Sequence, residues 1–414
     1  MNILIARHFG AMVSGAIYYL INIYSLILLF TGFGIESGIT FFTAKGQIDG
    51  GKLLGFSLIW AVVTGIMALM AFFFFIPGPY QLPGNVLLFS VFTFICGNLL
   101  FNYSTAFFYA KNNFIIPNSI NVIMNIVLIL LLPFHKFSVF DFVTDENYFY
   151  FYFGAFLLQG IILGLAVKLT YSKQGQVGFS FLPGFKVLLT YCLMAYASNL
   201  VFFFLYRIDY WFVKRYCTAV DLGNYIQVSK IGQLFFVLPT ILASAVFPLT
   251  AGGKKDLVKE LLTLISRSLL WLYMLACLFL IFTGNTLFPF LFGKSFANMY
   301  QAFLFLIPGI LSLSMLFTLT AFYAGKNKMS ININGALIAL IFVVLGDYIF
   351  IPKYGINAAA FVSSIGYFVY LLFVLRIFVK EYNVSLTSFF IIRTSDFIYL
   401  YKKINNQPDP ANVT

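Results

Sequence analysis

Charge is what this sequence has least of. Only 9% of its 414 residues are Asp, Glu, Lys or Arg, against 61% hydrophobic, where a soluble domain carries roughly 25% charged residues. That deficit excludes an ordinary soluble fold and marks an all-α polytopic membrane protein. Acidic residues are scarcer still: 13 Asp and Glu face 25 Lys and Arg, a net charge of +12. In a soluble chain that excess would suggest nucleic acid. Here the cations sit between apolar runs, so topology explains them and no nucleic-acid partner is expected. Cys96, Cys192, Cys217 and Cys277 lack metal-ligand spacing and read as small apolar fillers. A Walker A loop is missing, since Gly293-Lys294-Ser295 has Phe288 where the loop needs its first glycine, so nucleotide hydrolysis is not the expected driving force. A cleavable signal peptide is not expected, because Met1 to Ala6 is too short for one.

What is present is a succession of apolar segments long enough to span a bilayer. Eleven helices are predicted, at about 13–31, 53–76, 85–107, 115–134, 148–168, 186–206, 222–249, 267–290, 300–323, 329–351 and 356–379. Short connections punctuate them, among them Pro77-Gly78-Pro79, Gly252-Gly253 and Lys353-Tyr354-Gly355. The chain is expected to divide into an N-terminal lobe at 1–184, a C-terminal lobe at 185–379 and a cytoplasmic tail at 380–414. An amphipathic stretch from Phe389 to Ile404 in that tail suits a membrane surface.

Charge also orients the spans. One set of loops, with the tail, holds seventeen Lys and Arg, including Lys111, Lys254, Lys255, Arg267, Lys326 and Lys380. The opposite set holds six: Arg7, Lys136, Lys214, Arg215, Lys294 and Lys353. The richer side is cytoplasmic by the positive-inside rule, so the C-terminus is expected inside. Eleven spans then put Met1 outside, and Met1 to Arg7 reads as the end of a helix otherwise missing, as in a truncated twelve-span protein.

Within the apolar segments, charge becomes informative. Lys230 lies roughly 12 Å past the start of its segment, near the middle of a ~30 Å hydrocarbon layer. A cation there costs roughly 3 kcal/mol or more unless it faces a wet or polar interior, so it predicts an anion in a cavity. Gln227 and Gln233 flank it at i−3 and i+3 on one helix face. Asn22 and Asn199 belong to polar stripes with Tyr18 and Ser25, and with Tyr196 and Tyr206. Such stripes suit sugar hydroxyls and ordinary interhelical hydrogen bonding alike. Asp347 reads as a wetted or capping residue near the outer end of its helix.

An internal repeat supports two related halves. Thr105-Ala-Phe-Phe-Tyr-Ala-Lys-Asn112 recurs as Thr320-Ala-Phe-Tyr-Ala-Gly-Lys-Asn327, and Ile39–Gly46 is weakly echoed by Val246–Gly253. With six spans per half, both copies run the same way through the membrane, a parallel repeat.

The stretch from Leu287 to Tyr370 resembles the polysaccharide-flippase (Wzx-like) branch of the MOP exporter superfamily. Its carriers are Leu287-Phe-Pro-Phe-Leu-Phe-Gly293, Tyr323-Ala-Gly-Lys-Asn327 and Ile351-Pro-Lys-Tyr-Gly-Ile-Asn-Ala-Ala-Ala360. Leu222-Gly-Asn-Tyr225 through Phe247-Pro248 is similar to the family's eighth helix, and Arg7-His-Phe-Gly10 to an Arg-x-x-Gly after its first. The resemblance implies twelve helices in two six-helix lobes around a central cavity. It also implies outward movement of undecaprenyl-diphosphate-linked oligosaccharide by alternating access in a bacterial inner membrane. The partners it implies are that lipid-linked oligosaccharide, the bilayer, and polysaccharide polymerase and chain-length machinery.

On that reading Lys230 meets the diphosphate, Arg207 adds a planar fork for it, and Asp209 neutralises Lys230 when the site is empty. Arg207 and Asp209 equally fit interfacial snorkelling beside Trp211, Lys214 and Arg215. No cofactor is implied. An H+ or Na+ gradient, the membrane potential or consumption of the cargo could drive movement, and the sequence selects none. Two rivals remain. An organic-cation antiporter of the same superfamily needs carboxylates inside a lobe, and the helices between 53 and 134 carry none. A polysaccharide polymerase or ligase needs a large outer loop with clustered Arg and His, whereas the longest outer loop, His135 to Asn147, carries Asp141, Asp145 and Glu146.

Overall fold

The computed structural model describes residues 1–45, 50–75, 84–132, 144, 147–171, 185–251 and 255–391. Apolar runs of this length must satisfy every backbone group internally in lipid, which leaves the α-helix as the local solution. The described residues form α1 (Asn2–Gly32), α2 (Ile35–Lys45), α3 (Gly50–Phe75), α4 (Gly84–Ala110), α5 (Ile115–Leu130), α6 (Tyr148–Tyr171) and α7 (Phe185–Arg207). There follow α8 (Asp209–Tyr216), α9 (Ala219–Leu234), α10 (Val237–Ala251), α11 (Lys255–Phe292), α12 (Met299–Gly325) and α13 (Met329–Tyr382). No strand occurs among the described residues, and nine of the eleven predicted spans are helical over their described part, the exceptions being 115–134, whose helix ends at Leu130, and 222–249, which is interrupted. Seven helical stretches are long and apolar enough by themselves to cross a membrane.

Three boundaries differ from the prediction. The 186–206 span continues: α7 passes through Ile208 into α8, so Arg207 and Asp209 lie inside a longer helical run. The 222–249 span is instead broken at Phe235–Phe236 between α9 and α10. Pro239 explains the break, since it offers no N–H to the carbonyl four residues earlier. Arg267, counted among loop cations, lies within α11 and is 7% exposed. The amphipathic stretch from Phe389 lies outside the described residues beyond Ile391.

The chain divides into two compact units, Met1–Phe203 and Phe204–Thr414, with the boundary inside α7. In the first unit α4 is central, packing on α6, α3, α2 and α1. Its closest approach is glycine on glycine: a Cβ on Gly97 would lie 2.4 Å from the backbone of Phe156 and Leu157, and one on Gly160 2.6 Å from the Gly97 carbonyl. Small residues admit this backbone contact where lipid offers no hydrophobic drive between helices. Tyr24 and Ser90 hydrogen-bond across α1 and α4 at 2.8 Å.

In the second unit α12 is the core helix, packed on α13, α10, α11 and α9. The 54-residue α13 folds back on itself at Gly355, whose φ of 63° is open to glycine. Tyr370 Oη donates to the Asn332 carbonyl at 2.9 Å, so the arms on either side of Gly355 run antiparallel. They are the two predicted spans 329–351 and 356–379. Gly10 (φ 73°) makes the same kind of reversal in α1, with Tyr18 Oη donating to the Asn2 carbonyl at 3.3 Å.

The octapeptide repeat has a structural counterpart. Asn112 and Asn327, each the last residue of its copy, are both left-handed, at φ 56° and 58°. Asn113 N donates to Phe108 O and Lys328 N to Tyr323 O, each at 2.9 Å. Both copies therefore end their helix with the same left-handed cap, a position where Asn substitutes for glycine.

Candidate functional site

The second unit brings together polar groups from α8, α9 and both arms of α13. Thr218 caps α9 in a reciprocal arrangement with Asp221, which fixes where that helix begins. Two turns on, Tyr225 Oη donates to Asp209 Oδ2. Ser363 Oγ, from the second arm of α13, donates to the same oxygen at 3.1 Å and lies 3.5 Å from Tyr225 Oη. Asp347, from the first arm, is within electrostatic reach of Asp209 and of Tyr225.

Both carboxylates are buried, Asp209 at 2% exposure and Asp347 at 0%. Among the described residues nothing hydrogen-bonds Asp209 Oδ1 or either oxygen of Asp347. Asp347 is therefore not the wetted or capping residue expected from its place in the sequence. Two ionised carboxylates at close quarters in a helix bundle repel, and each buried charge without a partner costs several kcal/mol. A shared proton or a small cation removes both penalties. The neighbouring groups are hydroxyls and carboxyl oxygens, the ligands of hard cations. Among the described residues no three His, Cys, Asp or Glu side chains gather as a metal site.

Beside this pair lies a small cavity lined by Tyr206, Ser229, Gly232, Gln233, Phe236 and Tyr367, with Leu306, Ile310 and Leu313 from α12. Tyr206 packs against Tyr367 at 5.5 Å and against Phe236 at 6.1 Å between ring centroids. Its space suits water rather than an oligosaccharide.

Of the predicted residues, Lys230 stands on α9 in the turn before the break and is half-buried, within electrostatic reach of Arg207. Arg207 is also within reach of Asp209. Gln233 lines the cavity, whereas Gln227 is 1% exposed with its amide nitrogen unbonded among the described residues. Lys230, Arg207, Asp209, Gln227 and Gln233 thus all fall in the second unit. Asn22 and Asn199 fall in the first, Asn22 fully buried and Asn199 exposed. Sequence reading missed Tyr225, Ser363 and Tyr367. Their only signal was the acid Asp347 inside the apolar run Ile341 to Ile351, which by itself marks a functional position.

The helical bundle, with buried ionisable groups of both signs, has counterparts among solved structures. The fold is shared with transporters of the MOP superfamily. A lipid II flippase, MurJ, in an inward closed conformation matches with a TM-score of 0.67 and 14% identity, over 99% of this chain and 90% of that one. An inward-facing multidrug-resistance MATE transporter of the MOP superfamily matches with a TM-score of 0.67 and 14% identity, over 92% and 94%. A MOP superfamily transporter from Pyrococcus furiosus, described as having a binding pocket of reversed polarity, matches with a TM-score of 0.60 and 15% identity, over 93% and 92%. No protein-family model and no curated protein matches in sequence.

Proposed function

We propose that this chain translocates an anionic lipid-linked oligosaccharide, of the undecaprenyl-diphosphate class, from the cytoplasmic to the outer leaflet of a bacterial inner membrane. The observation that carries the reading is the cation pair: Lys230 and Arg207 lie within electrostatic reach of one another inside a membrane bundle. An anion placed to meet both cations is attracted by each. A diphosphate supplies two negative groups at suitable spacing for an ammonium and a planar guanidinium. In the conformation described, Gln233, Tyr206 and Tyr367 close around a water-sized space, so the sugars meet these amide and aromatic groups only in a state that widens it.

Asp209 and Asp347 take the second role. As a buried carboxylate pair on separate helices they hold a proton or an alkali cation, whose gradient drives the cycle. The break between α9 and α10 falls beside Lys230, and interrupted helices mark the sites of many secondary transporters. The organic-cation reading gains from these same carboxylates, which the sequence between 53 and 134 lacks.

The two are separated in cells lacking the protein. Accumulation of full-length lipid-linked oligosaccharide on the cytoplasmic side, reversed by the natural chain, supports glycolipid transport. Normal glycolipid export combined with new sensitivity to cationic drugs would establish the rival.

A further inference from the structure

We infer that Tyr225 is the positioning residue that links the carboxylate pair to the cation on α9. The inference rests on the proposed function above. Three observations carry it. The first is that Tyr225 is 1% exposed and its hydroxyl donates to Asp209 Oδ2, so any change of charge at Asp209 acts on that bond. The second is that Tyr225 and Lys230 occupy one rigid helix, five residues apart, with Ser229, Gly232 and Gln233 of the cavity on the same helix. The third is that α9 ends just beyond, at the Phe235–Phe236 break, so it can shift without carrying α10 with it. Edge-on packing of Tyr210 against the Tyr225 ring, at 5.9 Å between centroids, keeps the hydroxyl aimed at Asp209.

In the arrangement described, Asp209 Oδ2 holds Tyr225, and through it holds α9. An ion shared by Asp209 and Asp347 withdraws charge from that oxygen and weakens the bond. Release of Tyr225 frees α9, and Lys230 with it, to close on an anion. Ion and diphosphate then strengthen one another reciprocally, as any two linked sites must. The charged and titratable groups facing this bond are Asp347 and Tyr367 from α13, Arg207 from α7 and Tyr210 from α8.

The test is a binding measurement on the purified full chain in detergent, with farnesyl diphosphate as probe. In one arm sodium replaces N-methylglucamine at pH 8, and in the other the pH falls from 8 to 6 without sodium. The natural chain is expected to bind the probe about fivefold or more tightly with one of the two ions, which identifies the ion. Tyr225→Phe keeps the ring and loses the hydroxyl. It is expected to bind the probe with that ratio reduced to within about twofold of one. Ser363→Ala, which removes the other donor to Asp209 from a different helix, is expected to need more ion while keeping the full ratio at saturation. If the ratio survives in Tyr225→Phe, the link runs through space and the inference is overturned. If Ser363→Ala loses the ratio as fully as Tyr225→Phe, Tyr225 has no special place and the inference also fails. No ion effect on the natural chain overturns it as well. Failure of the natural chain to bind the probe under any condition sinks the proposed cargo itself.

Discussion

Replacing Asp347 by Asn separates a carboxylate pair with a working role from one that is merely tolerated. Asp347 is 0% exposed and accepts no hydrogen bond among the described residues, and Asp209 Oδ1 beside it is likewise unbonded. The amide removes one of two repelling charges and offers a donor to the remaining carboxylate. The change relieves about 1–3 kcal/mol in the absence of a bound ion. For a unit of about two hundred residues this raises the melting temperature by about 2–12 °C at pH 8 without sodium. An ion that binds the folded pair adds stability to the natural chain by mass action, and adds none to the variant. Unfolding can be followed with a thiol-reactive dye, because Cys96 and Cys277 are each 1% exposed and react only when the bundle opens. A variant that melts several degrees lower in ion-free buffer would refute the reasoning. So would an ion-dependent rise that persists in Asp347→Asn.

Other outcomes follow from the packing and the charge pattern. Gly97→Leu forces a side chain into the backbone of α6, so it should abolish folded protein, read as loss of the monodisperse peak in size-exclusion chromatography. Arg267 donates through Nη1 to the Ser388 carbonyl at 3.1 Å, and Trp271 through Nε1 to the Phe390 carbonyl at 2.9 Å, pinning the segment after α13 against α11. Arg267→Ala should therefore expose a cysteine placed at Phe389, now fully buried, to thiol reagents at least tenfold faster. A reporter fused after Lys255 should read cytoplasmic and one fused after Pro79 external, and the reverse pattern would overturn the orientation.

The spans were legible because apolar length is a local property: a run such as Val343 to Ile351 announces its helix without help from the rest of the chain. The repeat was legible for the same reason, and Asn112 and Asn327 are the residues a left-handed cap favours after glycine. The break in the 222–249 segment went unread, because hydropathy runs straight across it and Pro239, its cause, stands in an apolar run. The depth of Asp209 was hidden because the charges at Arg207, Asp209, Lys214 and Arg215 lower the hydropathy window while the helix continues. The carboxylate site was illegible for a different reason. Asp209, Tyr225, Asp347 and Ser363 are separated by up to 154 residues, and only tertiary packing joins them.

The most direct test of the central claim follows lipid-linked oligosaccharide in cells lacking this protein, complemented by the natural chain or by Lys230→Ala. The account predicts that glycolipid accumulates on the cytoplasmic face, that surface glycan disappears, and that only the natural chain restores export. Full rescue by Lys230→Ala, or normal export without any copy of the protein, would contradict it.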